Sequence, residues 1–254
     1  MAERLAVVSG GGTGIGKAVA RRLAADGCRV VVLGRRAETL EQARKEIDEA
    51  VGRAAVIPVA ADLSDAGQVA RAAAELAGLG PVDVLVNNAG ALSGPPADES
   101  LEALAAGWRR SLDLNLMSAV LLTSALQDRL RRPGGRLIVV GSAAGQRGGA
   151  GAHSAGAYAA AKAGLHGWAF GLARQLGPDG ITVNVIAPGY VVDTDIFGEQ
   201  WSPEFHEAKI ADTLVGRAGT PEDVAALVGY VASPEAGYLT GQVIGVNGGA
   251  VLGR

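Results

Sequence analysis

Leu5-Ala6-Val7-Val8-Ser9-Gly10-Gly11-Gly12-Thr13-Gly14-Ile15-Gly16-Lys17 is the stretch whose reading decides the fold. Leu5 to Val8 is a short apolar run, which reads as a buried strand. Five glycines follow between Ser9 and Gly16, and Lys17 to Ala25 has helical character. Strand, glycine loop and helix in that order raise a glycine motif above coincidence. The glycines let the backbone turn tightly and come close to a pyrophosphate, while the helix N-terminus offers free N–H groups and a positive dipole. A flexible turn is the plain alternative, and the strands on both sides favour nucleotide binding. Ser9, Gly10, Gly14, Ile15 and Gly16 are therefore expected to hold the phosphates.

The same alternation continues along the chain. Arg29 to Leu33 reads as a second strand, and its end should meet an adenosine ribose. An acid there would bind the 2′-hydroxyl and repel a 2′-phosphate. Gly34-Arg35-Arg36 stands there instead, and a guanidinium suits phosphate, which predicts NADP(H) over NAD(H), with Arg35 ahead of Arg36. Ala37–Ala50 reads as a solvated helix. After a third strand, Ala54 to Val59, comes Ala61-Asp62-Leu63, where Asp62 could cap the helix Ala66–Ala77 or bind the adenine amino group. Val82 to Val86 is a fourth strand ending in Asn87-Asn88-Ala89-Gly90. Two asparagines leaving a buried strand need satisfied amides, so they are expected to pin neighbouring strands and line the cofactor cleft.

One long helix is expected from Leu101 to Arg132, with a break near Gly107. Asn115 lies inside it, and asparagine is a poor interior residue, so its amide or the break it causes has a job. Leu137 to Val140 is a fifth strand, and Ser142 leaves its carboxyl end, where open parallel sheets bind ligands. Thr182 to Ala187 (ending at Pro188-Gly189) and Gln242 to Val246 are the sixth and seventh strands. Between them, Tyr190 to Val215 is long and irregular, with Phe197, Trp201 and Phe205, and reads as a lid. Thr220 caps a helix from Pro221 to Ala232. Strands alternating with helices predict an α/β, Rossmann-type, doubly wound parallel sheet of seven strands in three layers, one domain over residues 1–254.

Composition bounds the function. The 254 residues are 48% hydrophobic with a net charge of −3, which offers no electrostatic case for nucleic acid or an acidic membrane. No apolar run is long enough to span a bilayer, and no export signal is evident, so a cytoplasmic protein is expected. The single cysteine, Cys28, excludes a disulfide framework and reads as a buried structural thiol. No metal site is expected.

Tyr158-Ala159-Ala160-Ala161-Lys162 places a phenol and an ammonium four residues apart, on one face of a helix running to about Leu176. A neighbouring cation favours phenolate and draws a tyrosine down from its ordinary value of about 10. Alone, the pentapeptide would be a chance pairing on a solvated helix. The helix is rich in Ala and Gly, with Trp168 and Phe170, and such faces pack closely against a second copy.

In this order the motifs Ser9-Gly10 with Gly14 and Gly16, Asn87-Asn88-Ala89-Gly90, Asn115, Ser142, Tyr158 with Lys162, and Pro188-Gly189 resemble the short-chain dehydrogenase/reductase family over essentially the whole length, of the 3-oxoacyl reductase-like type. The resemblance implies that Tyr158 is the proton donor in reduction, and that Lys162 holds the nicotinamide ribose and lowers the phenol's pKa. It implies that Ser142 bonds the substrate carbonyl and Asn115 supports a water relay. Asn88, Ala89 and Gly90 would line the cofactor, and the nicotinamide amide would meet backbone near Val191. A homotetramer built partly from the Asn115 and Tyr158 helices is implied as well.

Three departures stand out. Ser142 precedes Tyr158 by sixteen residues, a longer separation than the family usually shows, and the excess falls in Gln146–Gly156, which contains His153. Thr194 stands one position later than in the usual P-G-x-x-x-T. Asp179 takes a site that is basic in reductases of acyl-carrier-protein thioesters, leaving Arg131 and Arg132 as either a carrier patch or a solvated helix end. The expected activity is NADP(H)-dependent reduction of a ketone, a 3-oxoacyl thioester or a polyketide-like ketone. The alternatives are a sugar or polyol dehydrogenase and a non-catalytic NADP-binding regulator.

Overall fold

The computed structural model describes residues 3–92, 100–149, 156–196 and 202–253. Seven strands form one sheet in the order β3-β2-β1-β4-β5-β6-β7. They are β1 (Leu5–Ser9), β2 (Arg29–Gly34), β3 (Val56–Ala60), β4 (Val84–Asn87), β5 (Arg136–Val140), β6 (Thr182–Pro188) and β7 (Val243–Val246). Every pairing is parallel, with Val7 opposite Val31 and Leu85, and Ile138 opposite Val86 and Asn184. The chain order reverses between β1 and β4, so the two halves diverge there and leave a crevice at the carboxyl ends.

Helices cover both faces. They are α1 (Gly14–Ala25), α2 (Ala37–Val51), α3 (Ala66–Glu75), α4 (Leu101–Leu112), α5 (Ser118–Leu126), α6 (Ala143–Arg147), α7 (Ala157–Leu176), α8 (Pro203–Ala211) and α9 (Pro221–Ala232). Side chains alternate across a strand, so each strand feeds two cores. Leu5, Val7, Val31 and Leu33 pack on one face with residues of α3, α5 and α7. Ala6, Val8, Val30 and Val32 pack on the other with residues of α1, α2 and α9, and Cys28 is buried among them. Burial also pushes the Cys28 thiol up, which keeps it unreactive.

Two expected elements differ. Helix α1 begins at Gly14 rather than Lys17, so the glycine motif itself forms the first turn. The helix expected across Leu101–Arg132 is not broken at Gly107. It runs through that residue to Leu112, widens into one π turn over Asp113–Met117, and resumes as α5. The π turn is centred on Asn115. Its amide nitrogen donates to the Ser111 carbonyl at 3.0 Å and the Ala91 carbonyl at 2.8 Å, and its Oδ1 accepts from the Ala91 N–H at 3.0 Å. An amide that competes for helical carbonyls displaces the break to its own position. No helix among the described residues is long and apolar enough to cross a membrane.

Candidate active site

The carboxyl ends of the strands open into a cavity of about 1490 Å³. Gly12 to Gly16 form one wall of it. Gly10 and Gly14 adopt φ of 65° and 49°, left-handed backbone that favours glycine. A Cβ on Gly16 would fall 2.0 Å from the Gly10 carbonyl oxygen, so no larger residue fits this loop. Thr13, at the head of α1, makes no side-chain cap, and the first turn holds no acid. The first N–H groups of α1 thus have no side-chain cap from Thr13, and they lie at the rim of a cavity wide enough for an anion. These residues fit a dinucleotide pyrophosphate.

Ser9 is placed otherwise than expected. It lies buried behind the loop. Its hydroxyl accepts the N–H groups of Asn88 (2.8 Å) and Ala89 (2.9 Å). Asn88 in turn donates its amide to the Ser9 and Gly10 carbonyls at 3.0 and 3.3 Å. These bonds join the ends of β1 and β4 at the crevice, so Ser9 positions the loop, while Asn88, Ala89 and Gly90 border the cavity. Asn87 turns away and donates to the Thr123 hydroxyl at 2.7 Å.

Arg35, Arg36, Asp62 and Leu63 border the cavity at the ends of β2 and β3. Arg36 reaches across to Asp195 at 3.5 Å, whereas Arg35 pairs with no carboxylate among the described residues. Asp62 does not cap α3, since Asp65 does, accepting from the Gln68 N–H. The Asp62 carboxylate instead accepts from the Ser64 hydroxyl at 2.6 Å and N–H at 3.0 Å. Those bonds, with the charge of Arg35 as a smaller cause, hold its pKa below the usual range.

Ser142, Tyr158 and Lys162 converge on the same cavity. Ser142 heads α6, its Oγ accepting the Ala144 N–H at 3.1 Å. Lys162 is buried on α7, and its ammonium donates to the Val140 carbonyl at 3.0 Å and lies 5.7 Å from the centre of the Tyr158 ring. A Cβ placed on Gly90 would lie 2.7 Å from Asn115 Oδ1 and 3.2 Å from Lys162 Nζ, so these groups bracket one point. Desolvation lowers Lys162 to about 8. Burial also pushes Tyr158 up, with a hydrogen bond from the Ser142 side chain acting in the opposite direction. The expected lowering of Tyr158 by Lys162 is therefore not what these side chains produce. The ammonium is itself desolvated and engaged by Val140, and burial of the phenol dominates. His166, one turn further along α7, is pushed down by burial and then by the Lys162 charge, which keeps it neutral.

The sequence family described as "Enoyl-(Acyl carrier protein) reductase" matches residues 10–251. The chain is 39% identical to the short-chain reductase protein NovJ of Streptomyces niveus, covering 97% of this chain and 94% of that one. It is 36% identical to the 3-oxoacyl-[acyl-carrier-protein] reductase FabG of Salmonella typhimurium, covering 98% of each. A solved structure of Pseudomonas aeruginosa RhlG in an NADP active-site complex superposes with a TM-score of 0.87 at 35% identity, covering 99% of this chain and 98% of that one.

The chain belongs to the short-chain dehydrogenase/reductase family. Within that family frame, the late Thr194 is accommodated by Asp193, the one non-glycine residue with positive φ (56°) among those described. The left-handed residue takes up the extra position, and Thr194 lies against the glycine loop, 3.2 Å from where a Cβ on Gly14 would be. Pro188, Gly189 and Val191 border the cavity beside it.

Arg131 and Arg132, read from the sequence as a carrier patch or a solvated helix end, are both engaged within this chain. Arg131 pairs with Asp83, and Arg132 pairs with Asp179 at 3.0 Å and donates to the carbonyls of Gln127, Asp128 and Leu130. His153, Phe197 and Trp201 lie outside the described residues. Sequence reasoning missed the stripe Leu104, Gly107, Trp108 and Ser111, which faces the cavity from α4. Its spacing of i, i+3, i+4, i+7 was the available signal. Ser111 is buried, and its hydroxyl has no hydrogen-bond partner among the described residues. Arg147 and Lys209, on α6 and α8, also border the cavity, and nothing in their local sequence marks them.

Proposed function

We propose that this protein reduces a ketone to a secondary alcohol using NADP(H), with Ser142, Tyr158 and Lys162 as catalytic residues and Asn115 as a support for the proton supply. The observation that carries this reading is that Ser142, Tyr158 and Lys162 share one cavity with the N-terminus of α1 and with Arg35, which pairs with no carboxylate among the described residues, while Asn115 lies behind Gly90 at its border. Gly10 to Gly16 would take the pyrophosphate, Arg35 the 2′-phosphate, and Asn88 to Gly90, Val191 and Thr194 the nicotinamide half. Bound there, the cofactor would supply the hydride to the carbonyl carbon.

Charge developing on the ketone oxygen meets two donors, the Ser142 and Tyr158 hydroxyls, held in place before reaction. The raised pKa of Tyr158 keeps the phenol protonated at neutral pH, as a donor must be. The Lys162 ammonium favours the phenolate left behind. Relatives that act on 3-oxoacyl thioesters support that substrate class or a polyketide-like ketone. Tyr190–Val215 would close over it, since α8 borders the cavity through Phe205 and Lys209. Homotetramer formation built partly from the helical run through Asn115 and from α7 is part of the same reading, supported by the partly exposed Met117 and Phe170.

The test is Tyr158→Phe, with NADPH oxidation followed optically over a panel of acetoacetyl thioesters, bulky aromatic ketones and sugars. Turnover should fall by about 10²–10⁴ while NADPH affinity stays near wild type. Turnover close to wild type in that variant would remove Tyr158 from the mechanism.

A further inference from the structure

The substrate side of the cavity has two unlike walls. The α4 wall is apolar at Leu104 and Trp108. Another part of the lining, from α6, α8 and the residue that ends α8, carries Arg147, Lys209 and Asp212. Arg147 is paired, with Nη2 3.3 Å from Asp212 Oδ2 and Nη1 donating to the Ala250 carbonyl at 3.3 Å. That pair ties α6 to α8 and neutralises both partners. Lys209 is different. It stands one turn before Asp212, half-buried, with its ammonium 5.2 Å from the centre of the Phe205 ring and no carboxylate within 4.0 Å among the described residues. An ammonium resting on an aromatic face keeps its charge available while its stem is held in place. The rim therefore presents a held cation, without a carboxylate partner among the described residues, to whatever enters the cavity.

We propose that Lys209 is an anion subsite for the substrate. It takes a carboxylate or phosphate on the tail of a ketone whose apolar body lies along Leu104 and Trp108. This rests on the ketone-reductase reading above. A compact ammonium suits either anion, because it acts as a point charge and imposes no planar, two-pronged geometry. The cation also lies on the segment proposed to close, so an anionic tail would draw α8 towards the bound substrate.

The experiment compares a neutral 3-oxo ester, the corresponding free acid, and a phosphate-bearing coenzyme A thioester. Each is assayed with NADPH in wild type, Lys209→Met and Lys209→Glu. Methionine keeps the apolar stem over Phe205 and removes only the charge. For at least one anionic ketone, the ratio of its kcat/KM to that of the neutral ester should fall about three- to tenfold in Lys209→Met, mainly through KM, and further in Lys209→Glu. A fall for the thioester alone assigns a phosphate tail, and a fall for the acid alone assigns a carboxylate. Equal losses on neutral and anionic ketones, or none, overturn the subsite while leaving the reductase reading in place. Wild-type enzyme that turns over no ketone, while still binding NADPH, overturns the reading itself and the subsite with it.

Discussion

At the scale of the residue, Lys162 shows how a burial cost becomes a titration. Its ammonium donates to the Val140 carbonyl at the carboxyl end of β5, and desolvation brings its pKa to about 8. A lowered lysine pKa means that the charge is present below about 8 and lost above it. Reduction needs that charge beside Tyr158 and needs the phenol protonated, so both conditions hold at neutral pH. We expect kcat/KM for ketone reduction to be level near neutrality and to decline as pH rises through about 8. A profile of initial rates from pH 6 to 10 measures this, and a level response up to pH 10 contradicts it. The direction of the Tyr158 shift was not legible in the pentapeptide. Four-residue spacing shows that the phenol and ammonium share a face, but desolvation depends on the strand ends and the Ser142 turn around them.

At the scale of the element, α9 and α4 make a contrast. Thr220 and Pro221 announce α9 locally, and the helix begins there. The Thr220 hydroxyl accepts the Asp223 N–H at 3.3 Å, and the Asp223 carboxylate accepts the Thr220 N–H at 2.8 Å and pairs with Arg217 at 2.7 Å. Thr220→Ala should cost about 1 kcal/mol, read as a Tm lower by roughly 2–4 °C in thermal denaturation at pH 7. The Arg217 bond and the Thr220 N–H hold the Asp223 pKa down, to about 2 from an ordinary 3.8. Its share of stability is therefore complete above the ordinary value and lost as pH falls towards 2. An unchanged Tm in Thr220→Ala would show that packing of α9 on α1 alone sets that helix. Helix α4 defied local reasoning because Gly107, a breaker by propensity, has nothing among the described residues within 4 Å of its missing Cβ and borders the cavity. The real discontinuity comes from Asn115, whose amide reaches Ala91 from the β4 crossover. That partner is remote in sequence, so propensity could not rank the two positions.

At the scale of the whole molecule, the cavity collects residues from the carboxyl ends of most strands, so a bound dinucleotide would tie both halves of the sheet together. A ligand that binds only the folded chain, at a hundredfold excess over its Kd, adds about 2.7 kcal/mol. For a chain of this size, NADPH should raise Tm by roughly 5–10 °C, and NADH at the same concentration by less. Arg35→Asp should reverse that order, because a carboxylate repels the 2′-phosphate and accepts from the ribose hydroxyl. Calorimetric scans of both proteins with each cofactor decide the matter, and an order that survives the substitution would remove Arg35 from phosphate recognition.

The sequence by itself determined the seven strands and their alternation with helices, the glycine turn at the first of them, and the order of Asn115, Ser142, Tyr158 and Lys162. Each of these is written in local period or in a motif confined to one turn. Only the tertiary structure decided that Ser9 joins two strand ends instead of facing the cavity and that Asp62 bonds Ser64 while Asp65 caps α3. It alone decided that, among the described residues, Arg36 is paired and Arg35 is not, and that Lys209 borders the cavity without a carboxylate partner. Hydrogen-bond partners and desolvation are set by groups distant along the chain, which local pattern does not encode. The glycine loop after β1 is thus legible as a nucleotide turn from its spacing, while its uncapped helix end and the bonds behind it belong to the folded molecule.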